Sequence, residues 1–95
     1  MNRNEMLHAA KELINGQRAE DYGDAFENHA RIGKIWEALT GDSFPPEKVA
    51  MMMIGMKLSR IAHTSTHPDT WVDICGYGAL GGEMAFRSAQ NEGRR

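Results

Sequence analysis

Cysteine is nearly absent from this 95-residue chain: Cys75 stands alone. No disulfide can close within the chain, and a cysteine-rich zinc cluster is excluded. Long apolar runs are missing as well. The longest, Val49 to Met56, falls far short of the roughly 20 residues that span a bilayer. The opening Met-Asn-Arg-Asn lacks the apolar run of a signal peptide, so a reducing cytoplasm is the expected compartment. There is no excess of basic charge. Eleven Lys and Arg against thirteen Asp and Glu give a net charge of −2. That balance argues against a general nucleic-acid or membrane-surface binder. No glycine-rich loop follows a strand and opens a helix, which excludes P-loop and Rossmann readings. Strand-type alternation, internal repeats and low-complexity segments are also lacking.

What is present is helical periodicity. Met6, Ala9, Ala10, Leu13 and Ile14 predict a helix over about residues 4–14, ended by Asn15-Gly16. Residues 17–23 read as a polar connection. Phe26, Ile32, Ile35, Trp36 and Leu39 predict a second helix over 24–39, closed by Thr40-Gly41-Asp42-Ser43. Pro45-Pro46-Glu47 opens a third over 45–62, with Ser43 as the expected cap. The broad apolar surface of that helix suggests a central element, or one shared with another subunit. A fourth helix over 68–90 begins at Pro68, with Thr66 as its expected cap. It holds Gly76, Gly78, Gly81 and Gly82, each costing about 1 kcal/mol against alanine. Close helix packing is the expected compensation, and a break at Gly81-Gly82 is the alternative. Residues 91–95 read as a frayed tail. The fold class is therefore all-α: one bundle-like domain of four helices. A chain this short buries a thin core, so a homo-oligomer is expected.

Charged residues recur where the helices begin and end. Asp21, Asp24 and Glu27 are spaced i, i+3, i+6 at the second helix entrance. Clustered carboxylates invite a cation such as Mg²⁺, while helix-dipole compensation is the structural alternative. Asp69 and Asp73 share a face at i, i+4 of the fourth helix. Lys57 and Arg60 lie i, i+3 near the end of the third. The short turn at 63–67 makes these two helices antiparallel neighbours, so the basic pair meets the acidic pair. An interhelical ion-pair network and a phosphate site are the two outcomes. In the second, cations take phosphate and carboxylates take Mg²⁺, as phosphoryl chemistry requires. Arg18 and Tyr22 could add a phosphate contact and a stacking surface. His8, His29, His63 and His67 lack zinc-ligand spacing.

These motifs carry a resemblance. Arg18-Ala-Glu-Asp-Tyr-Gly-Asp-Ala-Phe-Glu-Asn28 follows an R-x-x-x-Y-G-x-x-x-E-N pattern. Val49-Ala-Met-Met-Met53, Lys57-Leu-Ser-Arg60 and Asp69-Thr-Trp-Val-Asp-Ile-Cys-Gly-Tyr77 follow in order. Over residues 13–84 this is similar to a family of small phage and prophage proteins of unassigned function. More remotely, the layout resembles the MazG-like all-α nucleoside triphosphate pyrophosphohydrolases and the nucleotide-modification-associated helical domains. The MazG-like enzymes hold Mg²⁺ with an E-x-x-E pair and an E-x-x-D pair. The first maps onto Asp24-x-x-Glu27. The second maps onto Thr70-x-x-Asp73, where threonine replaces glutamate and Asp69 stands beside it.

Together these expectations describe a phage-type protein in the cytoplasm of a bacterial host. It binds a nucleotide or another phosphate-bearing small molecule, with Mg²⁺-dependent pyrophosphohydrolysis as the implied reaction. Glu27 and Asp73 are the expected catalytic residues. Asp24, Glu27, Asp69 and Asp73 are the expected Mg²⁺ ligands. Arg18, Tyr22, Asn28, Lys57 and Arg60 are the expected nucleotide contacts. A non-catalytic nucleotide-sequestering protein and a helical interaction module are the alternatives.

Overall fold

The structure, a computed structural model, describes residues 1–16 and 24–93. Among them every regular element is an α-helix and no strand occurs. Helix α1 (Arg3–Asn15) opens with a reciprocal capping box. The Glu5 amide donates to Asn2 Oδ1 at 2.9 Å, and the Asn2 amide donates to Glu5 Oε1 at 3.1 Å. Helix α2 (Ala25–Thr40) starts at Asp24, whose carboxylate accepts the Glu27 amide. It stops at Gly41, which sits at φ 81°, a left-handed conformation that only glycine adopts at little cost.

Helix α3 (Pro46–His63) begins after Pro45, and no side chain caps it. The expected Ser43 cap is therefore corrected. Proline at N1 has no amide to satisfy, and the Pro45 carbonyl already accepts the Lys48 and Val49 amides. The Ser43 carbonyl instead accepts from Lys48 Nζ at 3.1 Å. Helix α4 (Pro68–Gly93) follows a turn pinned by the Trp71 indole, which donates to the Ser65 carbonyl at 2.9 Å. His67, not Thr66, directly precedes it, and the Thr70 amide donates to the His67 carbonyl. The helix runs unbroken through Gly81-Gly82 and continues to Gly93, past the point where fraying was expected.

Its glycines show why it stays intact. A methyl group at Gly81 would stand 2.9 Å from Ala50 Cβ, and one at Gly76 would stand 3.1 Å from Ile14 Cγ2. Gly81 thus lets α3 approach on one side, and Gly76 lets α1 approach on another. Gly33 does the same for α2, where an added Cβ would fall on the Phe44 carbonyl. Helix α3 lies antiparallel against α4, with Ala50 opposite Gly81 and Lys57 opposite Asp73. Helix α1 packs on α4, and α2 packs mainly on α3.

The core is thin, as chain length requires. Ala10, Val49, Ala50, Val72 and Met84 are its buried apolar residues. Several apolar positions of the helices face outward. Ile35 and Leu39 of α2, Met51, Met52, Met56 and Leu58 of α3, and Phe86 of α4 are exposed. A four-helix arrangement of this size has too few inward faces to cover them. No helix of the described residues is long and apolar enough to cross a membrane.

Candidate functional site

Among the described residues, two cavities lie end to end along helix α4. The first, about 460 Å³, lies between α1, α2 and α4. Leu13, Ile14 and Leu80 give it apolar wall, while Asp24, Asn28 and Glu83 supply polar groups. The second, about 570 Å³, lies between the end of α3 and the start of α4. Lys57, Arg60, His63 and His67 face Asp69 and Asp73 around it. Asp73 lines both.

The antiparallel register of α3 and α4 places Lys57 Nζ 2.9 Å from Asp73 Oδ2. Both side chains are about one-fifth exposed, at 22% and 18%. Two ions this sheltered hold one another, since water is poorly placed to replace either partner. Arg60, one turn on, is exposed and has no ion partner among the described residues. Asp69 is exposed at the start of α4, where a carboxylate complements the helix dipole. Thr70, which stands where the MazG-like pattern has glutamate, is buried and lines the second cavity.

The four expected Mg²⁺ ligands do not converge. Asp24 lines the first cavity and is engaged in capping α2. Asp69 lines the second. Only Asp73 reaches both, and Glu27 is exposed and lines neither. Among the described residues, no three His, Cys, Asp or Glu side chains are grouped to hold one ion. The cause is local. Asp24 and Glu27 belong to a helix start, and the Asp24–Glu27 amide bond uses that spacing for capping. A four-carboxylate Mg²⁺ site therefore does not fit these residues. Asn28 is half-buried on the first cavity. Arg18, Asp21 and Tyr22 lie outside the described residues.

Periodicity did not single out His29. It is buried on α2, with Nδ1 2.8 Å from the Ala25 carbonyl. A carbonyl only accepts, so Nδ1 carries the proton, and in the neutral ring Nε2 is left as an acceptor. That Nε2 is buried and has no hydrogen-bond partner among the described residues. The ring meets Tyr77 edge-on, 6.1 Å between centroids, on the wall of the first cavity. A sequence signal did exist. Ala25, His29 and Gly33 fall at i, i+4, i+8, so His29 sits on the small-residue stripe that α2 turns inward.

The family model "Domain of unknown function (DUF6378)" matches residues 5–85. The chain is 53% identical over 76 residues to the Gene 55 protein of Mycobacterium phage L5, covering 79% of this chain and 49% of that protein. It is 33% identical over 72 residues to the Gene 55 protein of Mycobacterium phage D29, covering 76% and 48%. The chain thus spans about half the length of these curated relatives. No solved structure matches it. The expected kinship with phage proteins is borne out, and the chain belongs to the family described as Domain of unknown function (DUF6378).

Proposed function

We propose that this domain binds a nucleotide, or a close phosphate-bearing relative of one, across the two adjoining cavities. One observation carries the proposal: Asp73 lines both cavities while holding Lys57 at 2.9 Å. The second cavity takes the phosphates. Arg60 supplies a cation that no described carboxylate neutralises, with Lys57 and the imidazoles of His63 and His67 around it. The first cavity takes the base and sugar. Tyr77 and His29 offer ring surfaces there, Asn28 a carboxamide, and His29 Nε2 an acceptor awaiting a donor.

Pyrophosphohydrolysis is not part of the proposal. The MazG-like likeness rests on carboxylate spacing, and Glu27 lies outside both cavities. Thermal-shift and calorimetric titration with nucleoside mono-, di- and triphosphates, with and without Mg²⁺, test the binding. Saturable binding that Arg60→Ala weakens at least tenfold is the expected result. A chain indifferent to every nucleotide, or equally responsive after Arg60→Ala, refutes it. Product analysis of each hit shows whether turnover accompanies binding.

A further inference from the structure

The α3–α4 pair has one covered side and one open side. On α3, Val49 faces Gly33 of α2, and Ala50 faces Gly81 of α4. On α4, Gly81 faces α3 and Gly76 faces α1. The helical period then turns Met51, Gly55 and Leu58 of α3 to the same side as Gly78 and Gly82 of α4. That side is away from α1 and α2, and all five residues are exposed. The charged side chains within this stretch point elsewhere. Lys57 and Asp73 pair across the covered side, and Glu83 pairs with Arg87.

We infer that this open face is where a second copy of the chain docks, giving a two-fold symmetric dimer. Three observations select that occupant. First, the face holds knobs and holes together. Met51, at 68% exposure, and Leu58, at 54%, project from α3. At Gly55, Gly78 and Gly82 an added Cβ would meet nothing within 4 Å. A two-fold axis sets the knobs of each copy's α3 over the glycines of the other copy's α4, and each contact occurs twice. Second, these glycines lack a packing reason among the described residues. Gly81 and Gly76 admit a neighbouring helix, whereas Gly55, Gly78 and Gly82 admit none, and glycine is a poor helix former. Third, the area is right. The chain exposes 6844 Å², against about 5,500 Å² for a folded monomer of this length. Its radius of gyration is 14.4 Å, against about 12.4 Å. That excess of roughly 1,300 Å² is spread over the whole chain, and it is large enough to include the ~800 Å² that each partner contributes to a stable interface.

Sedimentation velocity on the intact chain over a concentration series tests the proposal. The expected species has twice the monomer mass. Met51→Glu should convert it to a monomer with unchanged helical circular dichroism. Gly78→Ala with Gly82→Ala gives an independent sign test. If the face is open to water, alanine raises the melting temperature through helix propensity alone. If a second copy covers it, the added methyl groups fill the holes and raise the dimer dissociation constant at least tenfold. A wild-type chain that stays monomeric at every soluble concentration overturns the dimer, and the face then belongs to another partner. A dimer that survives both Met51→Glu and the double alanine variant overturns this choice of face.

Discussion

The Lys57–Asp73 pair can be separated into structural and functional parts by substitution. At 2.9 Å the gross attraction is about 6 kcal/mol at an effective dielectric constant of 20. Much of that is offset by dehydrating two ions whose side chains are only 22% and 18% exposed. Asp73→Asn keeps the size and removes the charge, leaving Lys57 sheltered without a counter-ion. Breaking a fully buried pair costs about 3–5 kcal/mol, and an exposed one about 0–1 kcal/mol. This pair lies between those limits, so a loss of roughly 1–3 kcal/mol is expected. A loss near 2 kcal/mol lowers Tm by about 8–16 °C in a domain under 100 residues.

The companion variant is Lys57→Met with Asp73→Leu. Apolar side chains of similar volume need no counter-ion, so stability should return to within about 1 kcal/mol of the wild type. Urea unfolding followed by circular dichroism, at one fixed protein concentration, measures all three. The nucleotide response should disappear in the double variant even though the fold recovers. Asp73→Asn within about 0.5 kcal/mol of the wild type would refute the structural account of the pair. A double variant that folds and still binds nucleotide with wild-type affinity would remove Lys57 and Asp73 from the proposed site.

Two further outcomes follow from close contacts. Gly33→Ala drives a methyl group onto the Phe44 backbone carbonyl, which no side-chain rotation can relieve, so a loss of about 1–3 kcal/mol is expected in denaturant melts. Retention of wild-type stability would mean that α2 and the Phe44 turn are not in contact there. His29→Leu removes a buried acceptor that has no partner among the described residues, so stability should stay within about 1 kcal/mol of the wild type while nucleotide affinity falls; unfolding by this variant would instead give the imidazole a structural role.

Much of the fold was legible because helix starts and stops are local chemistry. Asn2 and Glu5 at capping-box spacing, Asp24 before Ala25, Pro46 at N1 and Gly41 at a left-handed turn are each written within four residues. The antiparallel pairing that joins Lys57 to Asp73 was legible for a related reason, since a turn of four residues allows little else. Burial was less legible. Ile35, Leu39, Met51 and Phe86 have helical spacing, but spacing does not say whether a neighbouring helix arrives to cover them. The carboxylate cluster was ambiguous for a similar reason. Asp24-x-x-Glu27 reads alike as a metal pair and as a helix cap, and only the Glu27 amide bonding to Asp24 separates the two. His29 was missed because one buried imidazole leaves no period, only a place on a stripe of small residues.

Groups that the fold has already satisfied differ from those it has not. Lys57 and Asp73 satisfy one another, so their pairing serves stability whether or not a ligand is bound. Asp24 is likewise explained as a cap. Among the described residues Arg60 has only the dipole at the end of α3 to complement and no ion partner, and His29 Nε2 has no hydrogen-bond partner. Folding gains little from an exposed cation without a partner, and a buried acceptor without one costs about 1–3 kcal/mol. A buried acceptor left without compensation is where function is to be sought, and an unpaired cation is free to meet a ligand. These two residues line different cavities, and Asp73 lies on the wall of both. A ligand with phosphate at one end and a hydrogen-bond donor on a ring at the other would satisfy both at once. On the proposed reading, then, Lys57 and Asp73 are the frame, while Arg60 and His29 are the contacts. Removing one charge of the frame should alter melting and binding together, whereas the paired apolar replacement, like substitution at the contacts, should alter binding alone.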